Sequence, residues 1–150
     1  KSQFMKKLAG AVLLAAIVAV SGCTGNPNPE IQTGKEEISI QGNSTAQLEV
    51  QVKNNYEEKA ASFLLNTTSP EIVDVLNSES ESQESFNMGE ASSGSKTVKK
   101  VLVLRGNPGN LGSLNSGTDQ LTLNVTAETS GNLTEVEKTA SKNVTVTVEK

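Results

Sequence analysis

Leu121-Thr122-Leu123-Asn124-Val125-Thr126 decides the fold, and Val144-Thr145-Val146-Thr147-Val148 repeats its pattern near the C-terminus. In each stretch an aliphatic residue alternates with a polar one. A period of two puts one set of side chains on each face of a β-strand. The same period runs through Ile38 and Ile40, interleaved with Glu37, Ser39 and Gln41, and through Leu48, Val50 and Val52, which alternate with Glu49 and Gln51. Such alternation belongs to sheets with one dry face and one wet face. Three less regular segments are also strand-like: residues 60–65, 72–76 and 98–104, with Pro70 marking a boundary between the first two. In the third, Val101-Leu102-Val103-Leu104 is apolar on both faces, which predicts a central strand, and Lys99-Lys100 interrupts the alternation as a bulge would. Residues 133–137 are one more candidate strand.

Gly, Asn, Ser and Pro cluster between these segments, at residues 42–44, 54–55, 77–95, 106–117 and 130–132. Seven or eight short strands punctuated by turns over residues 36–150 predict an all-β domain, an antiparallel β-sandwich. No segment beyond Glu36 shows a sustained helical stripe.

The arrangement resembles the immunoglobulin-like domains of archaeal and bacterial surface proteins, of the cell-adhesion-related CARDB kind. The residues that carry the likeness are Leu48-Glu49-Val50-Gln51-Val52-Lys53-Asn54-Asn55, a strand ending in Asn. The turn at 89–96 and the strands at 98–104 and 121–125 complete it. The Cys–Trp–Cys set of antibody domains is missing, which excludes that subclass. The resemblance implies an adhesion, spacer or assembly module without catalytic residues.

The first 23 residues read as an address. Lys6 and Lys7 precede a run from position 8 to 20 made only of Leu, Ala, Gly, Val and Ile. A helix of 13 residues spans about 20 Å, short of the roughly 30 Å hydrocarbon core of a bilayer. A basic flank, a short apolar run and then small residues is the order of a secretory signal. Met5 reads as the translation start, with residues 1–4 upstream of it. Val20-Ser21-Gly22-Cys23 resembles the lipobox of prokaryotic lipoproteins. That resemblance implies cleavage after Gly22, lipidation of Cys23 and durable membrane attachment by two or more acyl chains. The other readings are a plain signal peptide with an incidental Cys, an uncleaved N-terminal anchor helix, and the N-terminal helix of a pilin-like subunit. Behind Cys23, residues 24–35 hold Gly25, Pro27, Pro29 and Gly34 among polar neighbours and read as a tether. The expected organisation is therefore a hydrophobic N-terminal helix within a signal over 1–22, a lipidated tether over 23–35 and a sandwich over 36–150.

Composition removes several function classes. The chain has 13 Lys plus Arg against 17 Asp plus Glu. Lys1, Lys6 and Lys7 precede the apolar run, so residues 23–150 keep 10 cations and 17 acids, a net of 10 − 17 = −7. A phosphate backbone repels such a domain, so no nucleic-acid partner is expected. The chain has no His, no Trp and a single Cys. Intrachain disulfides are impossible, and the usual zinc, haem and iron–sulfur ligand sets cannot be assembled, so neither metal nor cofactor is expected. Folding must rest on buried aliphatic side chains, each contributing about 1.5–3 kcal/mol.

With no His, a catalytic base would have to be a carboxylate or Lys. Asp74 and Asp119 are the only aspartates, and no Asp-x-Asp loop for calcium exists. Glu79, Glu81, Glu84 and Glu90 sit in the Ser-rich stretch 77–95, which reads as a solvated acidic loop better than as a glycosidase pair. Arg105-Gly106-Asn107-Pro108-Gly109-Asn110-Leu111-Gly112 lacks the Lys-Ser/Thr ending of a phosphate loop and is followed by no helix. As the longest Gly/Asn loop it is the candidate contact surface, with Arg105, Asn107, Asn110 and Leu111 as its contact residues. The aromatics beyond the signal are Tyr56, Phe63 and Phe86. Phe63 is expected in the core and Tyr56 at an exposed turn, too few for a sugar-stacking platform. Asn43, Asn66, Asn124, Asn132 and Asn143 each begin an Asn-x-Ser/Thr acceptor for N-glycosylation. Chance in a chain this rich in Asn, Ser and Thr gives roughly three such acceptors, so polar β composition explains them equally well.

These readings converge on a non-enzymatic surface lipoprotein. Lipid holds it to the membrane at the cell envelope, and the domain meets an envelope or surface protein, with no small-molecule substrate. The alternative is a structural subunit of a surface filament or surface layer that assembles by strand pairing.

Overall fold

A computed structural model of the chain describes residues 28–56, 59–129 and 138–150. The expected signal and hydrophobic helix over 1–22, the lipidated Cys23, the acceptor Asn132 and the candidate strand at 133–137 lie outside the described residues.

Nine strands form among the described residues: β1 (Glu30–Thr33), β2 (Glu37–Gln41), β3 (Thr45–Lys53), β4 (Ala61–Thr68), β5 (Val73–Leu76), β6 (Ser85–Ala91), β7 (Thr97–Gly106), β8 (Ser116–Thr129) and β9 (Lys138–Glu149). They make a four-stranded sheet in the order β1-β3-β7-β5 and a five-stranded sheet in the order β2-β9-β8-β4-β6. The dry space between the sheets is filled by the residues that the period-two pattern selects. Leu48, Val50 and Val52 from one sheet meet Ile38, Ile40, Leu121, Leu123, Val125, Val144, Val146 and Val148 from the other, all buried. The two sheet orders are those of an immunoglobulin-like sandwich with its first strand split between the sheets, except that β5 and β6 are exchanged: β5 crosses to the edge beside β7, and β6 returns to the edge beside β4.

That split departs from the expected all-antiparallel pattern. Gly34 still donates its amide to the Glu49 carbonyl, 2.9 Å away, and the chain then crosses to the second sheet. There β2 runs parallel to β9, with Ile38 beside Val146 and Ile40 beside Val148. All other pairs are antiparallel. A parallel neighbour is reachable because the whole of β3 to β8 intervenes in sequence.

Two strands lie where none is expected, which raises seven or eight to nine. β1 occupies the end of the segment read as tether: Ile31 stands opposite Val52 and packs against the core, so one isoleucine in a Pro- and Gly-rich stretch suffices for an edge strand. β6 occupies the stretch 77–95 read as acidic loop. Its buried residues are Phe86, Met88 and Ala91, and the step from two to three between them hides the period. The cause is a bulge: Phe63 pairs with Gly89 but Leu64 with Asn87, and Gly89 adopts φ +96°. Conversely, no bulge occurs at Lys99-Lys100, where the β3–β7 register is unbroken. Lys100 reaches from β7 across to the other sheet and places its ammonium 5.5 Å from the Phe86 ring centroid. β7 is central in its sheet as expected, yet Val101 faces solvent and is 47% exposed.

Tyr56, expected at an exposed turn, is buried because of Asn54. Asn54 is fully buried at the end of β3. Its Nδ2 donates to the carbonyls of Lys59, Ala91 and Ser92 at 2.9, 3.0 and 3.1 Å, and its Oδ1 accepts from the Tyr56 amide at 2.9 Å. Its backbone bonds Lys96 and Ser95. One side chain thus ties the β3–β4 loop to the β6–β7 turn.

The strand directions define two ends. The chain enters at the end where Glu30 pairs with Lys53 and where the β3–β4 and β6–β7 loops lie. The opposite end holds the β2–β3 turn, the β4–β5 turn and the β7–β8 loop. The nine residues of β3 separate the two by about 30 Å.

Candidate functional site

The site is built at the end away from the chain's entry. β4 stops before Pro70, and a turn closed by the Val73 amide on the Pro70 carbonyl sends the chain across to the other sheet as β5. There Asp74 stands opposite Arg105, the penultimate residue of β7. The Asp74 Oδ2 accepts from Arg105 Nη2 at 3.3 Å and from Asn107 Nδ2 at 2.8 Å. Asn107 also donates its amide to the Ile72 carbonyl at 2.7 Å. A 3-10 turn over Pro108–Leu111 follows, in which Asn110 donates its side-chain amide to the Glu71 carbonyl at 2.6 Å.

Four expected contact residues therefore come together, but in different roles. Arg105 and Asn107 fasten the loop to β5, and Asn110 fastens it to the β4–β5 turn. Leu111 is buried, and a Cβ on Gly117 would lie 2.7 Å from its Cδ2, so it plugs the end of the core and is no contact residue. Leu114, three residues on, is 61% exposed and is the apolar tip of the loop. Lys150 closes the far side, with its amide on the Asn115 carbonyl and its Nζ on that of Gly112.

Between this loop, β5 and the segment leading into β6 lies a concavity of about 440 Å³. Its charged lining is Glu71, Asp74 and Glu84, with amides from Gln83, Asn107 and Asn110. Carboxylates and amides there can accept from cationic or amide donors. Ser82 bridges to Leu76 and Gln83 donates to the Val75 carbonyl, so the outer edge of β5 is covered by the chain's own continuation. Among the described residues no three His, Cys, Asp or Glu converge as a metal site, and no helix is long and apolar enough to cross a membrane.

The acceptor asparagines separate by environment. Asn43 is exposed in the β2–β3 turn. Asn66, Asn124 and Asn143 lie within β4, β8 and β9 on the outer face of the five-stranded sheet, where Asn66 stands directly opposite Asn124. Asn66 accepts a hydrogen bond from Ser85, and Asn143 from Thr122. Asp74 reads in the sequence as a lone aspartate; its place in Val73-Asp74-Val75, polar between two core valines, is the signal that sets it on the outer face of β5. Leu64 has a comparable signal. In Phe63-Leu64-Leu65 a strand must turn one of three apolar residues outward, and Leu64 is 42% exposed.

No family model and no curated protein matches the sequence. Among solved structures, the chain is similar to native alpha-2-macroglobulin from Escherichia coli, spanning domain MG7 to the C-terminus. The TM-score is 0.56 at 11% identity, over 82% of this chain and 17% of that one. The native conformation of E. coli alpha-2-macroglobulin gives 0.52 at 11% identity, over 81% of this chain and 7% of that chain. The CooA pilin subunit of enterotoxigenic E. coli gives 0.47 at 13% identity over 82% and 98%, too loose a likeness to argue from. At such identities the likeness concerns the fold alone. The chain is an immunoglobulin-like β-sandwich of the kind found in bacterial proteins, and it spans only a small part of the alpha-2-macroglobulin chains it resembles.

Proposed function

We propose that the chain is a non-enzymatic, CARDB-like surface lipoprotein. A lipid on Cys23 holds it at the extracytoplasmic face of the membrane, and the sandwich docks a protein of the cell envelope through the β7–β8 loop and its acidic concavity. One observation carries this reading: the chain enters the sandwich at the end opposite that loop. An anchor at Cys23 would therefore leave that loop facing away from the membrane. With β1 beginning at Glu30, the residues from Cys23 to Pro29 are the tether, about 25 Å at full extension. The fixed Asp74–Asn107 and Asn110–Glu71 bonds keep the loop ordered before contact, which lowers the entropic cost of docking.

Two measurements test it. Fatty-acid labelling of full-length chain and of Cys23→Ser is expected to mark only the former; equal label removes the anchor. A photo-cross-linking residue at position 110 is expected to trap an envelope protein in intact cells, and one at the proximal position 92 is not. Equal trapping at both removes the loop as contact surface. The filament reading draws on a different observation, the terminal position of β2 in its sheet. Concentration-dependent fibres would favour it.

A further inference from the structure

The outer face of the five-stranded sheet differs in charge from that of the four-stranded sheet. On the four-stranded sheet, outward residues carry both signs: Lys99 pairs with Glu49 at 3.6 Å, Arg105 with Asp74 at 3.3 Å, and Glu30 stands opposite Lys53. On the five-stranded sheet the registers set side chains in seven cross-strand rows. Three successive rows, from the Leu64–Thr126 pair through Asn66–Asn124 to Thr68–Thr122, hold no charged residue, and neither do their neighbours on β6 and β9. Glu90 and Glu128 flank Ser62 in the row on one side; Glu37 and Glu149 lie toward the other end. Neither Lys nor Arg occurs among these outward positions. The face is uncharged at its centre, acidic at its margin, and carries one exposed leucine.

We infer that this face docks a protein whose contact surface is uncharged at its centre and rich in Lys or Arg at its margin. Depletion of charge in a central patch with charge confined to the rim is one compositional feature of protein–protein contacts, and Leu64 adds one exposed apolar side chain to a patch otherwise made of Ser, Thr and Asn. Rows about 7 Å apart and strands about 4.8 Å apart give the face roughly 800 Å², which is what one partner contributes to a standard interface. Its side chains are already ordered: Thr118 bonds Thr147 at 2.8 Å, Gln120 bonds Thr145 at 3.0 Å and Thr122 bonds Asn143 at 2.9 Å. A second copy of this chain is the wrong occupant, because stacking the face on itself sets carboxylate margin against carboxylate margin. Carbohydrate is disfavoured because Tyr56, Phe63 and Phe86 are all buried. A glycan on Asn66, Asn124 or Asn143 would cover the face, so the inference requires those acceptors to be unmodified.

The test uses the full-length chain in its own cells, with a photo-cross-linking residue at position 64 and, as control, at position 47 on the outer face of the other sheet. The expected result is an adduct of one mass from 64 and none from 47. In the Glu90→Lys/Glu128→Lys background its yield falls about tenfold, while the thermal melt is unchanged. No adduct at 64, an adduct of the mass of two copies, or a yield indifferent to the charge reversal overturns the inference. So does glycan found by peptide mapping at Asn66, Asn124 or Asn143. Position 110 is run in parallel: an adduct from 110 alone overturns this face and leaves the loop reading intact, whereas an adduct from 64 alone does the reverse.

Discussion

Asn54 shows what one residue contributes when burial and hydrogen-bonding capacity match. Its amide has two donor hydrogens and faces three carbonyls, so one hydrogen is shared, while its oxygen takes the Tyr56 amide. Removing it leaves several backbone groups without partners in a dry place. Asn54→Ala is expected to lower unfolding stability by about 2–3 kcal/mol in urea titration. Asn55→Ala, which loses one bond to the Asn28 carbonyl near the surface, is expected to cost less than about 1 kcal/mol. Equal effects would refute the role given to Asn54. Gly106 is constrained differently: a Cβ there would run into the Gly42 carbonyl oxygen and crowd Ile40 and Val148. Gly106→Ala is expected to cost about 1–3 kcal/mol by the same titration. Neither demand is visible in the local sequence, where Asn54-Asn55 reads as a turn and Gly106 as the start of a loop. The partners lie on other strands.

Among elements, those with regular alternation were legible and those with a broken period were not. β2, β3, β8 and β9 each present two or more core aliphatics at every second position, and that pattern fixes their inward face. β6 escaped notice because its bulge shifts the inward residue from position 90 to Ala91, and β1 because one isoleucine among Pro, Gly and polar residues makes no period. The site divides the same way. That residues 105–111 form a contact loop could be read from Gly and Asn content, but the inward plunge of Leu111 and the grip of Asp74 required knowing which strand lies beside β7. β2 also offers a test of strand addition. Thr145 donates to the Glu36 carbonyl, so even-numbered residues of β2 bond β9 and odd-numbered ones face the free edge. Ser39→Pro is expected to cost under about 1 kcal/mol and Ile40→Pro about 3 kcal/mol or more. If fibres form at all, Ser39→Pro is expected to abolish them at unchanged melting temperature.

At the scale of the whole molecule, stability comes from two sheets closing on aliphatic side chains. The one Cys in the chain precedes the sandwich. Reductant and metal chelator are therefore expected to leave the melting temperature unchanged; a fall of several degrees with either would show a covalent or metal contribution. The pairing is also non-local, with β2 on β9 and β3 on β7, so refolding is expected on the millisecond-to-second scale in stopped-flow fluorescence of Tyr56. Microsecond refolding would contradict that topology.

The all-β class, the inward face of β2, β3, β8 and β9 and the lack of an intrachain disulfide were legible in the chain alone, because each follows from residue inventory or from a period of two that any half-buried strand must obey. The parallel seat of β2, the conversion of tether and acidic loop into edge strands, the capture of three carbonyls by Asn54 and the uncharged outer face emerge only on folding. Those depend on which strands become neighbours, and neighbours are chosen by the closing of the whole core, which no stretch of chain encodes alone.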